Sequence, residues 1–346
     1  MLIRKAIPAD SAALIALTAL TPMKGKISLR IDRKPDFFRL LQERGAHIVL
    51  VAEDDQHQIT GSFSAARQNF VINNRIQPVY YLGDLKVHPD HCKSTVAYRL
   101  VKAMQQEMIA SGIDLVICTA ADGNTSVAPF FEGRSGIPAF QKTSVFNVHQ
   151  VLPKPFAADA HVRTYGNAAE LSSFYTQYFR RYNLYPAISH LEDCIHFCYE
   201  ENGKMAAAIS LFNPAAFKQN VLIDYPFSIS VVLQLMRSLK LFLPLPSFPS
   251  KGDELRLLYV KYSGFGEGRE YAFLKLLEAA RDYAFRQRFH FVTIAADEKD
   301  VQVNKLLQPF SKFNFRSLHL IASLQKNDQL IRQIADNIAY EDYSLI

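Results

Sequence analysis

Between residues 79 and 112 the hydrophobic positions alternate first with the period of a strand and then with the spacing of a helix. The first part has apolar residues at near-alternating positions, Val79, Tyr81, Leu85 and Val87. This pattern predicts a half-buried strand. We expect the strand to end at His88-Pro89, because proline lacks the N–H that continues a ladder and biases its predecessor away from helix.

The second part predicts an amphipathic helix with one buried face. Its apolar residues, three or four apart, are Val96, Leu100, Val101, Met104, Met108 and Ile109. Gly112 is a plausible C-cap. The polar turn HCKST precedes the helix, so the unpaired amides of the first helical turn should face outward beside Lys93. Such a turn attracts phosphate; the alternative is an ordinary strand–turn–helix unit with an exposed turn.

Other segments before residue 152 also show a clear periodicity of hydrophobic residues. The pattern predicts strands at 2–6, 47–53, 58–66, 114–121 and near 138–150, and helical regions at 11–20, 35–43 and about 125–132. The strands at 47–53 and 58–66 are expected to form a hairpin around a polar turn.

The same order of elements begins again after a Pro-containing segment at 153–160. HVRTYGNAAELSSFYTQYF resembles IRKAIPADSAALIALTAL, and CIHFCYEENGKMAAAISLF resembles HIVLVAEDDQHQITGSFSA. A repeat with a period of about 170 residues predicts two tandem domains rather than a solenoid. We place the domains at 1–152 and 161–346, joined by the linker 153–160. The second copy has an insertion at 213–253, which we expect to pack between the domains.

The composition is that of a globular protein: 49% of its 346 residues are hydrophobic and 21% are charged. The net charge of +6 suits an anionic ligand. The basic residues are dispersed rather than collected into a stripe, so we do not expect a nucleic-acid partner.

The sequence also bears on the compartment of the protein. Four cysteines are too few for a disulfide scaffold in a chain of this length, which favours a reducing cytoplasm. Pro8 and Asp10 interrupt what superficially resembles a signal peptide. The longest apolar run, 229–245, contains Arg237 and Lys240 and ends in prolines, so we do not expect a membrane span.

The strand–turn–helix unit resembles the GNAT family of acyl-CoA-dependent N-acyltransferases. In that family a pattern like V-x-P-x-x-[QR]-x-x-G-x-[GA] carries the amides that bind the pyrophosphate of coenzyme A. Val87, Pro89 and Ala97 match this pattern. Cys92 stands where Arg or Gln is usual, and Thr95 where Gly is usual.

The order of elements in both halves is also that of the GNAT fold. The resemblance therefore implies a mixed α/β fold of two tandem GNAT-like domains. It further implies acetyl-CoA or another acyl-CoA as co-substrate, with no metal. The matching cofactor-binding positions are Leu85, Val87, Cys92, Lys93, Ser94, Thr95, Val96, Ala97 and Asn124.

We place the cofactor in the first copy. The corresponding turn of the second copy, SGFGEGRE, is longer than the family spacing, and Glu267 and Glu270 would repel phosphate. Its glycines would let a backbone approach phosphate, and Arg269 would help.

Direct acyl transfer requires a base for the amine and an acid for the thiolate. Asp84 is the candidate base, with His88 second because histidine titrates near neutral pH. The plainer interpretations are an exposed strand carboxylate and a turn histidine. The family's usual tyrosine is missing: Phe131 and Phe310 stand about there, and phenylalanine donates no proton. Ser126, Tyr81 or solvent would replace it.

Three functions follow from these residues. The first is acyl transfer, with acetyl as the expected acyl group, to a small-molecule or peptide amine. The second is a catalytically weak or inactive module that binds acyl-CoA or a protein. The third is transfer from an aminoacyl-tRNA, which predicts a basic stripe that the sequence does not contain.

A metal site is a further possibility. Cys194, His196 and Cys198 alternate along a predicted strand. A zinc site needs a fourth ligand, which the spacing does not supply, so we interpret the three as core residues.

Overall fold

The computed structural model describes residues 1–23, 27–124, 132–133, 138–239, 248–310 and 313–346. The strands of the first half are β1 (Leu2–Lys5), β2 (Ser28–Asp32), β3 (His47–Glu53), β4 (Ile59–Ile72), β5 (Arg75–Val87), β6 (Leu115–Ala121) and β7 (Gln141–Val151). Its helices are α1 (Ser11–Ala19), α2 (Arg39–Arg44) and α3 (Val96–Ala110).

The second half follows a similar order, with an additional strand–helix unit after its fourth strand and an additional helix after its last strand. Its strands are β8 (Val162–Thr164), β9 (Leu184–Pro186), β10 (Ile195–Glu201), β11 (Lys204–Phe212), β12 (Gln219–Asp224), β13 (Leu257–Phe265), β14 (Phe291–Asp297) and β15 (Asn314–Ser323). Its helices are α4 (Ala168–Phe179), α5 (Phe227–Leu239), α6 (Glu270–Arg286), α7 (Val301–Leu307) and α8 (Asp328–Ala335).

The two halves share one mixed sheet of thirteen strands, in the order β1-β3-β4-β5-β6-β15-β7-β14-β13-β11-β10-β8, with β9 beside β4. The last strand of each half lies next to the other half: β15 pairs with β6, and β7 pairs with β14. This exchange makes the sheet nearly palindromic. The predicted mixed α/β fold is confirmed, whereas the domain boundaries stay a prediction.

A diverging pair of parallel strands lies at the same place in each half. β5 pairs with β6 only at Tyr80–Val116 and Tyr81–Ile117. In the second half β13 pairs with β14 from Leu257 to Tyr259. In the described residues neither ladder continues, so each strand pair opens toward its C-terminal end. Such an opening at the carboxyl end of parallel strands is a common ligand position.

A bulge lies just beyond the last parallel pair of each ladder. The register between β4 and β5 shifts between Ser62 and Ser64, and opposite this shift Asp84 has a φ of 53°. The register between β11 and β13 shifts between Ser210 and Leu211. A bulge bends its strand and redirects its side chains, here at the point where β5 leaves β6.

Helix α3 packs on the first half of the sheet with its predicted face, except that Ile109, which was assigned to this face, is 57% exposed. Val96, Leu100 and Met104 are fully buried. The helix comes so close to β4 that a Cβ on Gly61 would lie 2.6 Å from Val96 Cγ1 and 3.0 Å from Leu100 Cδ1. Only glycine fits there without displacing the helix.

The insertion of the second half reaches the first half. β12 pairs antiparallel with β2, from Gln219–Asp32 to Asp224–Ser28. This two-stranded sheet agrees with the expectation that the insertion packs between the domains. Residues 240–247 of the insertion lie outside the described ranges.

Within the described part of the chain, Cys194, His196 and Cys198 do not bring their ligand atoms together. All four cysteines are free thiols, and both ring nitrogens of His196 contact protein groups, Ser210 Oγ at 2.8 Å and the Leu191 carbonyl at 2.8 Å. Glu43, His190 and Asp193 bring their ligand atoms within 4.8 Å of one another, but Glu43 already pairs with Arg39 at 2.6 Å.

None of the helices in the described ranges combines the length and the apolarity that crossing a lipid bilayer requires.

Candidate active site

The predicted anion-binding turn lies between β5 and α3 and is held by its own backbone. A short 3₁₀ turn covers Pro89–His91. The N–H of Ser94 donates to the His91 carbonyl at 2.9 Å, and the Ser94 hydroxyl accepts from the Val96 N–H at 3.2 Å. These bonds fix the path of the chain into the helix.

The surface of this turn is rich in unpaired donors. The side chains of Cys92, Lys93, Ser94 and Thr95 are exposed, Ala97 is half-buried and Val96 is buried. Within the described residues, four backbone N–H groups meet no acceptor, those of Lys93, Thr95, Ala97 and Tyr98. Because α3 is 15 residues long, its dipole adds positive potential to these donors.

The other predicted cofactor positions flank the opening of β5 and β6. Leu85 and Val87 are half-buried and pack against the core under α3. Asn124 follows β6 in an exposed turn, where its N–H donates to the Ala121 carbonyl at 3.0 Å. Ser126 and Phe131 lie outside the described residues.

Asp84 lies at the bulge of β5 and is buried. Its Oδ1 accepts from Arg33 Nη2 at 2.7 Å, and its Oδ2 accepts from the Ser64 hydroxyl at 3.0 Å. Burial works to raise the pKa of Asp84, but Arg33, Arg44 and Lys86 outweigh burial and hold the pKa below its usual value. Asp84 is therefore an ionised partner in an ion pair, not the exposed strand carboxylate of the plainer interpretation.

His88 and Tyr81 are placed differently. The His88 Nδ1 accepts from the Asp90 N–H at 3.3 Å at the rim of the turn, and about a third of the His88 side chain is exposed, 34%. The Tyr81 hydroxyl lies 2.5 Å from Thr119 Oγ1, across the end of the β5–β6 ladder. Burial raises the pKa of Tyr81, so its hydroxyl stays protonated. Phe310 packs beneath Arg281, whose guanidinium carbon lies 5.1 Å from its ring centre.

Basic side chains around Asp84 were not predicted from the sequence. Arg33 follows β2, Arg44 ends α2, and Lys218 precedes β12; these three are 5%, 8% and 3% exposed. Single buried cations carry no periodic signal, and Lys218 comes from the insertion. Only the pairing of β12 with β2 brings it near Arg33.

In the second copy, the corresponding turn and strand opening already contact protein groups. The Arg269 guanidinium already binds Glu201 at 2.9 Å. Within the opening between β13 and β14, the Ala339 N–H donates to Asp297 Oδ2 at 2.8 Å, and the Tyr340 hydroxyl donates to the Lys261 carbonyl. The segment at 339–340 therefore occupies this opening.

Comparison with known families agrees with this geometry. Residues 17–128 match the family model described as an acetyltransferase (GNAT) domain. Residues 17–128 are therefore similar to a GNAT domain. The resemblance inferred from the turn and from the element order is therefore confirmed, and the matched residues include β5, the predicted anion-binding turn and α3.

Solved structures share the fold of nearly the whole chain. N-myristoyltransferase of Saccharomyces cerevisiae with bound myristoyl-CoA is 10% identical, with a TM-score of 0.61 over 92% of this chain and 82% of that chain. A conserved protein of unknown function from Enterococcus faecalis V583, described as a probable N-acyltransferase, is 8% identical, with a TM-score of 0.54 over 94% of this chain and 73% of that chain. At these identities the likeness is one of fold. No curated protein matches the sequence.

Proposed function

We propose that the protein transfers an acyl group, in the first instance acetyl, from acyl-CoA to the nitrogen of an amine. The observation that carries this proposal is the row of unpaired amides at Lys93, Thr95, Ala97 and Tyr98. These amides lie beside an opening between parallel strands, within the residues that are similar to a GNAT domain.

In this proposal the amides of the turn bind the pyrophosphate of coenzyme A. Lys93 supplies a positive charge, and the Ser94 and Thr95 side chains border the phosphates. The pantetheine arm runs between β5 and β6, along Leu85 and Val87, toward the bulge at Asp84. Asn124, which follows β6, lies on the β6 side of this path.

The first copy is the better donor site for two physical reasons. Its Lys93 has no ion-pair partner among the described residues, whereas Arg269 is neutralised by Glu201. Tyr340 lies across the opening between β13 and β14 in the second copy. It does not lie across the opening between β5 and β6 in the first copy. We therefore expect one acyl-CoA per chain.

The packing around the bulge favours a short acyl group. On the α3 side of the sheet, Leu50, Phe63 and Leu82 are at most 6% exposed and pack with the helix. A long acyl chain would need to displace such a core, which is costly at normal packing density. The yeast N-myristoyltransferase structure contains myristoyl-CoA, so a long-chain donor is the alternative to test.

Transfer is direct in this proposal. The amine nitrogen attacks the thioester carbonyl, the C–S bond breaks, and the thiolate of coenzyme A takes a proton. Asp84 is a weak base because its pKa is held low, so we assign it the role of stabilising the positive amine. The amine proton passes to His88 or to solvent. The thiolate takes a proton from solvent, either directly or relayed through the hydroxyl of Tyr81 or Ser126, which solvent then reprotonates.

Product analysis by mass spectrometry tests the proposal. The protein is incubated with an amine library and either acetyl-CoA or myristoyl-CoA. We expect an N-acetylated product, with one free coenzyme A released per product. If only a myristoylated product formed, the transferred acyl group would be myristoyl rather than acetyl. Binding of acyl-CoA without any product would favour the inactive binding module instead.

A further inference from the structure

The bulge of β5 lies in a cationic centre where the two halves of the chain meet. We use this name for Arg33, Arg44 and Lys218, which are all more than nine-tenths buried. Arg33 and Lys218 flank the end of the β2–β12 ladder, where Asp32 pairs with Gln219. Residues from both halves therefore build the centre.

Arg33 is only partly satisfied. Its Nη2 donates to Asp84 Oδ1 at 2.7 Å, but its Nε and Nη1 have no hydrogen-bond partner among the described residues. The whole side chain is 6% exposed. Unpaired donors of a buried guanidinium are costly, so they point to a ligand group that accepts from them.

The other two cations are bound to neutral groups. Arg44 donates to the Leu345 carbonyl and stacks on Tyr81, with its guanidinium carbon 4.2 Å from the ring centre. Lys218 Nζ donates to the carbonyls of Tyr343 and Ser344 at 3.2 and 3.3 Å. Neither the carbonyl groups nor the Tyr81 ring neutralises the positive charge of Arg44 or Lys218.

The nearby carboxylates do not balance the centre. Asp342 lies 3.4 Å from Lys261, and Glu341 lies 3.3 Å from the His319 ring nitrogen. Asp84 is therefore the carboxylate that acts on Arg33 and Arg44, and it also acts on Lys86; Lys218 is influenced by Asp342 instead. Burial beside Arg44 and Arg33 holds the pKa of Lys218 well below its usual range, despite Asp342, which agrees with an excess of positive charge.

We propose that the cationic centre binds the carboxylate of an amino-acid acceptor, whose ammonium group lies against Asp84. This inference rests on the proposed acyl transfer and names its substrate class. Arg33 and Asp84 are 2.7 Å apart, so together they present opposite charges to the two charged ends of a zwitterion. A carboxylate adds one negative charge and accepts from the free Arg33 donors. A polyamine or an internal lysine would bring only positive charge.

Ligand-observed saturation-transfer NMR tests this site directly. The probes are the twenty L-amino acids and the matching amino-acid amides at 10 mM, each without and with coenzyme A. We expect saturation transfer to at least one amino acid and none to its amide, because the amide lacks the carboxylate. Equal signals from acid and amide, or no signal from any acid in either condition, would overturn the inference.

Two variants link the signal to Arg33. Arg33→Gln should weaken binding at least about tenfold, since hydrogen bonds between charged groups are lost, and Arg33→Lys should retain part of the affinity. Arg30→Gln is the matched control, because Arg30 lies on β2 and, among the described residues, pairs only with Asp32, at 2.7 and 3.0 Å. Equal losses in Arg33→Gln and Arg30→Gln would contradict the assignment.

The saturation-transfer measurements with amino acids alone do not require acyl-CoA to bind. They therefore test the carboxylate site separately from the proposed acyl transfer. If acetyl-CoA fails to bind while an amino acid binds and its amide does not, the transferase proposal fails and the carboxylate site stands. If acetyl-CoA binds and the amides bind as well as the acids, the carboxylate site fails alone.

Discussion

Arg33 and Asp84, which are 51 positions apart in the chain, form an ion pair in which Nη2 lies 2.7 Å from Oδ1. The pair joins the end of β2 to the bulge of β5. Both side chains are nearly inaccessible, at 6% and 7%. A buried pair of this kind holds the bulge in one geometry, beside the opening that we propose for the acyl donor.

Asp84→Asn should lower the free energy of unfolding by about 3–5 kcal/mol at pH 7, because Arg33 is then left without a charge partner. The pKa of Asp84 is lower in the folded state than the unfolded value of about 3.9. Its stabilisation is therefore present above about pH 4 and is lost as the pH falls through the folded-state pKa.

Urea unfolding at several pH values measures this effect. The difference between wild type and Asp84→Asn should be full at pH 7 and should shrink below about pH 4. Asp90→Asn, whose side chain is 82% exposed, is the control and should change little at either pH. A difference of the same size at pH 7 and pH 3 would show that Asp84 does not act through its charge.

Gly61→Ala should destabilise the protein by about 1–3 kcal/mol through overpacking, because its Cβ would come within 2.6 Å of Val96 Cγ1. Movement of α3 would also shift the anion-binding turn, so acetyl-CoA affinity should fall. Thermal unfolding and calorimetric titration measure the two effects. Gly166→Ala, with no atom within 4 Å of the added Cβ, should remain within about 0.5 kcal/mol of wild type.

Cys92 should be the most reactive thiol of the native protein. It is exposed on the proposed pyrophosphate turn, whereas burial raises the pKa of Cys118, of Cys194 to about 12 and of Cys198 to about 11. The buried thiols thus stay protonated at pH 8 and react slowly.

Peptide mapping after brief treatment with N-ethylmaleimide measures the relative reactivity of the four thiols. Acetyl-CoA should slow the labelling of Cys92 in proportion to its occupancy, and Cys92→Ser should remove the fast phase. Unchanged labelling at saturating acetyl-CoA would show that the ligand does not cover the turn.

Much of the fold could be predicted because it is encoded locally. The alternation at 47–53 matches β3, the helical spacing from Val96 gives α3, and the strand predicted at 114–121 matches β6. β4 is longer than predicted and ends at Ile72, and β5 begins at Arg75 rather than near Val79. Two asparagines with positive φ, Asn73 and Asn74, make the tight turn between these strands.

Long-range pairing could not be predicted. Strand periodicity does not state which strand is the neighbour, so the places of β7 and β15 in the sheet follow only from the structure. β2 was not predicted as a strand, because its alternation covers only the short run SLRID and its partner β12 lies in the distant insertion.

The candidate site also has one part that could be predicted from the sequence and one part that could not. The turn at 88–95 and the helix after it are contiguous, so both could be predicted. The cationic centre could not, since Arg33, Arg44 and Lys218 come from separate segments and become neighbours only on folding.

Isothermal titration calorimetry of acetyl-CoA tests the central claim most directly. We predict binding to wild type with a stoichiometry of one, loss of binding in Lys93→Glu/Thr95→Glu, and retention in Arg269→Glu. Carboxylates at a helix N-terminus favour the helix, so the double variant should keep its fold, which circular dichroism verifies. Absence of binding to wild type at millimolar acetyl-CoA, or binding unaffected by the double variant, would contradict the account.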